Sequence, residues 1–129
     1  MKNNLSILIL ACIVATLVIA THARNETWKS EVSLWTDCVK KSPNKGRPYE
    51  NLGAVLYRQG KKQEGLSLFA KAVEVEPDSA RLNWDYGALL LFNGRAKESV
   101  WYFEKVILLN RDFVGEAKKC LAWIRNRAD

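Results

Sequence analysis

Apolar residues recur along most of the chain at steps of three and four residues, the period of an amphipathic α-helix. The first such stripe is formed by Trp28, Val32, Trp35, Cys38 and Val39. The same spacing continues to the C-terminus, where Ala117, Cys120, Leu121 and Ile124 share the face of a last helix. The pattern predicts helices at about 28–41, 47–59, 62–75, 80–93 and 96–109, and another from 112 onward. We therefore expect an all-α protein.

An internal repeat connects these helices in pairs. The pattern of Gly46–Ser79 returns 34 residues later, in Ala80–Phe113. A fixed period of this length indicates a stack of similar helix hairpins. The matched pairs are Arg47 with Arg81, Gly53 with Gly87, Ala54 with Ala88, Leu56 with Leu90, Gly60 with Gly94, Glu64 with Glu98, Phe69 with Phe103, and Lys71 with Lys105.

Two kinds of glycine recur in the repeat. Gly53 and Gly87 lie inside predicted helices, where glycine costs roughly 1 kcal/mol relative to alanine, so we expect a neighbouring helix to approach closely there. Gly60 and Gly94 lie where the first helix of each pair should end. Glycine adopts the left-handed conformation of a helix C-terminus at little cost, so these two should turn the chain into the next helix.

The repeated segments resemble the tetratricopeptide repeat (TPR) family. The signature positions hold Tyr49, Leu52, Gly53, Leu56, Gly65, Phe69, Ala72 and Pro77, and then Asn83, Tyr86, Gly87, Leu90, Ser99, Phe103, Val106 and Arg111. Gly65, Ser99 and Val106 replace the usual alanines, and Arg111 replaces proline. Trp35, Cys38 and Pro43 align one frame earlier. The resemblance implies an α-solenoid with a half repeat at 28–45, repeats at 46–79 and 80–113, and a capping helix at 114–129, all within a domain of residues 26–129.

An apolar run precedes this domain. Every residue from Leu5 to Ala20 is apolar except Ser6 and Thr16. The run is near the lower limit for a membrane-spanning helix and somewhat long for the core of a signal peptide. Residues 1–25 are therefore interpreted as a membrane anchor, with a cleaved signal segment as the alternative. A lipoprotein site at Cys12 is a third alternative, although the apolar run continues beyond that residue.

The junction between the two parts carries a second resemblance. It is similar to the junction of TMTC-like membrane glycosyltransferases, where the last span meets a TPR tail. The residues concerned are Arg24, Asn25, Trp28, Leu34, Trp35, Pro43, Asn51, Leu52 and Gly53. The resemblance implies a span followed by a periplasmic or lumenal repeat domain. Counting lysine and arginine around the span favours the opposite orientation. We expect an extracytoplasmic domain, which would be secreted if the segment is cleaved.

Catalytic groups are sparse in the repeats. The single histidine, His22, precedes them, so the commonest general base is missing from the expected domain. Cys12, Cys38 and Cys120 lack metal-ligand spacing. We expect no enzymatic activity, no metal and no cofactor.

The TPR resemblance implies a concave groove lined by the first helix of each pair. The corresponding residues are Arg47, Glu50, Ala54, Tyr57 and Arg58 in one repeat, and Arg81, Trp84, Ala88, Leu91 and Phe92 in the next. TPR domains that bind a C-terminal carboxylate use lysine and asparagine at positions held here by Glu50, Ala54, Trp84 and Ala88. The resemblance therefore argues against a carboxylate clamp. Trp84, Tyr57 and Phe92 are predicted anchors for a protein partner; alternatively, Leu91 and Phe92 pack under the neighbouring helix.

Charge and the solenoid ends add two expectations. The net charge is +6, but the lysines and arginines are scattered at helix ends, which favours attraction to a membrane surface over nucleic-acid binding. The half repeat leaves Trp28 and Trp35 at an exposed solenoid end. We expect a membrane-anchored scaffold that binds another protein as an accessory or assembly subunit. The alternative is a subunit that assembles into oligomers or filaments through its ends.

Overall fold

The computed structural model of the protein describes residues 9–10, 12–21, 30–109 and 111–127. All regular secondary structure in these ranges is helical. The helices are α1 (Glu31–Lys41), α2 (Gly46–Arg58), α3 (Lys62–Val75), α4 (Ala80–Phe92), α5 (Ala96–Leu109) and α6 (Val114–Arg125). Consecutive helices pack against one another, with the closest association within the pairs α2–α3 and α4–α5. The predicted all-α architecture of stacked hairpins is confirmed.

Glycine ends the first helix of each hairpin. Gly60 and Gly94 have φ values of 86° and 76°, in the left-handed region. The Lys61 amide donates to the Leu56 carbonyl at 3.0 Å, and the Gly60 amide donates to the Tyr57 carbonyl at 3.1 Å. These two bonds form a Schellman motif, which satisfies carbonyls that the helix end would otherwise leave unpaired. The same pattern follows α4, so the predicted role of both glycines is confirmed.

The internal glycines allow two helices to touch. A Cβ added to Gly53 would lie 2.9 Å from the Gly65 carbonyl oxygen, and one added to Gly65 would lie 2.8 Å from the Gly53 carbonyl oxygen. In the next hairpin, a Cβ on Gly87 would lie 3.1 Å from the Phe103 ring. The expected close approach is confirmed. This close contact also accounts for a glycine at position 65, because a side chain there would meet the backbone of α2.

The apolar faces of the helices form two adjoining core clusters. The first joins α3 to α4 through Phe69, Ala72, Leu82 and Leu90 among others, and the second joins α5 to α6 through Phe103, Val106 and Ala117. Ser79 caps the start of α4, because its hydroxyl accepts a hydrogen bond from the Leu82 amide at 3.3 Å. Trp84 and Leu91 of α4 pack against the second cluster, so α4 contributes to both.

The structure describes only part of the predicted N-terminal anchor of residues 1–25. Residues 9–10 and 12–21 are helical, and their apolar side chains, such as Ile13, Leu17 and Ile19, are exposed. Within the described residues, no helix combines the length and apolar character needed to cross a bilayer. The expected membrane-spanning helix is thus not found in this part of the chain. Trp28 and the junction residues Arg24 and Asn25 lie outside the described residues.

Candidate functional site

A groove of about 650 Å³ lies on the face formed by α2 and α4. Both are first helices of their hairpins, so their outward residues share one side of the solenoid. The groove is lined by Glu50, Phe69, Arg81, Asp85, Ala88, Leu89 and Phe92. Four of these, Glu50, Arg81, Ala88 and Phe92, were predicted from the sequence.

A charged cluster forms one end of the groove. The two carboxylate oxygens of Glu50 accept hydrogen bonds from Nη1 and Nη2 of Arg81, each at 2.5 Å. Glu50 is only 9% exposed, and such parallel bonds to a carboxylate are among the stronger polar contacts in proteins. The hydrogen bonds to Glu50 raise the pKa of Arg81 above its usual value. The pair holds α2 and α4 together across the groove.

Asp85 joins this cluster one helical turn after Arg81. Its Oδ2 atom lies 3.5 Å from Nη1 of Arg81. Burial, and then the neighbouring Glu50 carboxylate, raise the pKa of Asp85 to about 6, although Arg81 opposes the shift. Two carboxylates thus share one guanidinium, which leaves this end of the groove with a net negative charge at neutral pH. Asp85 is not among the groove residues predicted from the sequence, although it lies four residues after Arg81 and therefore on the same helix face.

Phe92 provides the apolar end of the groove. Its ring is 80% exposed, and it lies at the last residue of α4. The alternative in which Phe92 packs beneath a neighbouring helix does not agree with this exposure. Ala88 and Leu89 continue the apolar lining toward the charged cluster. An exposed aromatic ring and a partly buried ion pair at the two ends of one groove are a combination typical of protein-binding surfaces.

Trp84 is not among the residues that line this groove. Its indole is stacked on the Phe113 ring, with ring centroids 5.6 Å apart and an interplanar angle of 4°, and it also contacts Phe103 at 5.5 Å. These contacts place Trp84 against the α5–α6 core cluster. Trp84, one of the three predicted groove anchors, therefore packs against the second core cluster and the turn before α6, and it is not among the residues that line the groove.

The remaining predicted groove residues have other contacts. The Tyr57 hydroxyl donates a hydrogen bond to Oδ1 of Asn93 at 3.0 Å, which ties α2 to the turn after α4. Arg58 forms an exposed ion pair with Glu31 of α1 at 2.7 Å. Arg47 faces a different pocket, next to α1. The structure thus brings together only part of the predicted set.

The second pocket, which we call the end slot, has a volume of about 430 Å³. Trp35, Cys38 and Pro48 form its apolar floor, and Lys41, Ser42, Lys45, Arg47 and Glu76 form its rim. Lys41 is paired with Asp37 at 2.6 Å, whereas Lys45 and Arg47 have no ion pair with any described residue. The end slot contains Trp35 of the predicted exposed end.

Groups suited to metal binding are not clustered in the described ranges. No set of three or more His, Cys, Asp or Glu residues there could hold a metal ion. Cys12, Cys38 and Cys120 are free thiols, and burial raises the pKa of Cys120. A raised pKa lowers the thiolate fraction and so makes a cysteine less nucleophilic.

Comparison with known proteins supports the fold. No family model and no curated protein sequence matches this chain. Among solved structures, it is similar to the TPR2B domain of yeast Sti1 in its complex with pHsp70, with a TM-score of 0.65 and 16% sequence identity. The match covers 84% of this chain and 90% of the Sti1 chain. The fold is therefore TPR-like.

Proposed function

We propose that the protein is a scaffold that binds another protein in the groove between α2 and α4, as an accessory or assembly subunit of a membrane-associated complex. The observation that carries the proposal is one groove that has the exposed Phe92 ring at one end and the Glu50–Arg81 pair with Asp85 at the other. An apolar anchor and an oriented charge within one groove supply both affinity and specificity. The TPR-like fold supports a role in protein interaction rather than in catalysis.

The chemistry of the groove indicates a partner segment with an apolar side chain and a basic one. Glu50 and Asp85 together carry more negative charge than Arg81 neutralises. A lysine or arginine of the partner would complete the balance, while its apolar side chain would cover Phe92. The Sti1 domain is described in a complex with pHsp70; Glu50 here is already bonded to Arg81, so we propose a different partner.

Membrane attachment belongs to the same proposal. The apolar run of residues 5–20 and the exposed side chains of residues 9–10 and 12–21 support an anchor in, or on, a bilayer. The similarity to TMTC-like junctions supports a repeat domain on the periplasmic or lumenal side. Protease accessibility of the repeats in intact cells tests this location, since a cytoplasmic domain would be protected until the membrane is opened.

The groove is tested by affinity capture from solubilised membranes with matched variants. Phe92→Ala removes the exposed ring, and we expect it to weaken capture of the partner by about 2 kcal/mol, or roughly thirtyfold. Leu108→Ala is the control, since Leu108 is also exposed (77%) but belongs to the second helix of its hairpin. A partner that both variants retain equally would contradict binding in the groove.

The alternative function is self-assembly through the solenoid ends. The end slot favours it, because an uncovered apolar surface at the end of a stack can bind a second copy. Sizing of the full chain in detergent over a range of concentrations separates the two functions. A monomer at all concentrations would contradict self-assembly and leave the scaffold proposal standing.

A further inference from the structure

The end slot and the first complete repeat are related by the internal period. The slot residues Cys38, Ser42, Arg47 and Pro48 have counterparts 34 residues later in Ala72, Glu76, Arg81 and Leu82. In the complete repeat these counterparts are covered by a helix, whereas in the half repeat no described residue covers the slot. The protein therefore contains both the filled and the empty version of one site.

The filled version shows what the site holds. The first turn of α2 occupies it, with Gly46 close enough that an added Cβ would lie 2.5 Å from Cδ1 of Leu82 and 2.9 Å from the Ala72 carbonyl oxygen. The Gly46 amide donates to Oε1 of Glu76 at 2.9 Å. Four residues later, Glu50 forms its two hydrogen bonds with Arg81. A glycine followed at the fourth position by a carboxylate is therefore the pattern that fills this site.

The empty version retains the matching groups. Arg47 stands where Arg81 stands, and it has no carboxylate partner among the described residues. Lys45 adds a second cation that lacks an ion pair there. Trp35 and Cys38 occupy the positions of Phe69 and Ala72, which are buried, yet α1 contains no buried residue. The slot thus offers to an incoming helix an apolar floor and a guanidinium that no described carboxylate pairs with.

From this internal template we propose that the end slot binds the first turns of a helix from a partner protein, which carries a glycine followed four residues later by glutamate or aspartate. The helix completes the half repeat in the way that α2 completes the first full repeat. The inference rests on the proposed function in that the occupant is a protein, but it concerns a different surface from the groove.

Segments of the chain itself fit the slot less well. At the positions 34 residues before Gly46 and Glu50 stand Cys12 and Thr16. The Thr16 hydroxyl donates to the backbone carbonyls of Cys12 and Ile13 within its own helix, and residues 1–25 contain no acidic residue to pair with Arg47. In a second copy, the matching helix α2 is already held in its own core. Charge complementarity therefore favours a different protein.

A peptide with the sequence of residues 45–59 is a direct probe, because it copies the helix that fills the site in the complete repeat. The readout is the alkylation rate of Cys38 in the full chain in detergent, followed by mass spectrometry, with Cys120 as the internal control. We expect about tenfold slower alkylation of Cys38 at a peptide concentration about ten times its dissociation constant, and no change at Cys120. Equal rates with and without peptide would overturn the proposal.

A charge exchange tests the assigned pair. Arg47→Glu in the chain should weaken peptide binding at least about tenfold, and a peptide with glutamate replaced by arginine at the position of Glu50 should restore it. Arg111→Glu, at the other end of the solenoid, is the matched control and should leave binding unchanged. Protection of Cys38 that is insensitive to Arg47→Glu would overturn the assignment.

The other occupants give distinct results. A disulfide between Cys12 and Cys38 within one chain on mild oxidation would show that the N-terminal segment fills the slot. Crosslinks through Cys38 between two chains would indicate a second copy, and protection by anionic vesicles alone would indicate a lipid surface. Each of these results overturns the proposal. Partner capture with Phe92→Ala tests the groove, and alkylation of Cys38 tests the end slot. Either proposal can therefore be overturned without the other.

Discussion

The two ends of the solenoid contain equivalent helices in different surroundings. At the C-terminal end, α6 lies against α5, and Phe103 and Val106 are 0% exposed. At the N-terminal end, Trp35 and Cys38 occupy the equivalent positions of α1, but both are only partly buried and line an open slot. Apolar side chains contribute to stability in proportion to the surface they remove from water. The comparison shows that a repeat residue acquires its role from the neighbouring helix and not from its position in the repeat alone.

The largest expected effect is a direct test of this difference. Phe103→Ala leaves a cavity in a closed core, and we expect it to lower the free energy of unfolding by about 3–5 kcal/mol. Trp35 is the equivalent residue at the N-terminal end of the solenoid. Trp35→Ala should lower the free energy of unfolding by about 1 kcal/mol or less, because the Trp35 ring already faces an open slot. Chemical denaturation followed by circular dichroism measures both. Equal losses would mean that the end slot is filled in solution.

Glycine substitutions sharpen the comparison between a tight contact and an open surface. Gly65→Ala improves helix propensity but places its Cβ 2.8 Å from the Gly53 carbonyl oxygen, so we expect a net loss of about 1–3 kcal/mol. Gly115→Ala in α6 meets no atom within 4 Å and should stabilise the protein by up to about 1 kcal/mol. Thermal unfolding of the two variants checks the prediction. A stabilised Gly65→Ala variant would contradict the close helix contact.

Arg81 and Arg47 are equivalent in the repeat, but only Arg81 forms an ion pair with a described residue. Arg81→Met leaves the buried Glu50 carboxylate without its partner, and we expect a loss of about 1–3 kcal/mol, reduced from the full cost of a buried unpaired charge by the partial exposure of Arg81. Arg47→Met should change stability by less than about 0.5 kcal/mol, since Arg47 has no ion pair with a described residue. Denaturant titrations of both variants give the two values. A large loss for Arg47→Met would reveal an acidic partner within the chain.

The smallest expected effect concerns pH. The pKa of Asp85 is about 6 in the folded protein, above the usual value of about 3.9 in an unfolded chain. The folded state therefore binds more protons between these values, so stability should decrease as pH rises from about 4 through 6. We expect a change of about 1 kcal/mol, because solvent partly screens this carboxyl. Asp85→Asn should flatten this part of the pH profile, and an unchanged slope would contradict the assignment.

The fold could be predicted in detail because its signals are local and repeated. Gly60 and Gly94 end helices for a conformational reason that depends on few neighbours, and the 34-residue period pairs the helices without knowledge of distant contacts. The groove could be predicted only in part. Glu50, Arg81, Ala88 and Phe92 line the groove, but whether a side chain on that face is free depends on which later segment packs over it.

Trp84 and Phe92 show this limit most clearly. Both lie on α4 at positions that the resemblance to TPR domains assigns to the groove. However, Trp84 stacks on Phe113, whereas Phe92 remains exposed. Phe113 reaches the indole because the chain turns there with a φ of 67°, as it enters α6. A contact of this kind depends on the path of a later segment, so no pattern within α4 could reveal it.

The sequence by itself determined the helices, their pairing, the glycine turns and the unequal ends of the array, because periodicity and backbone preference act over a few residues. Only the tertiary structure decided which aromatic ring is exposed and which arginine forms an ion pair. It also decided that the pKa of Asp85 is raised. These properties depend on the distance between helices that are far apart in the chain, since burial and charge pairing arise only after the helices pack.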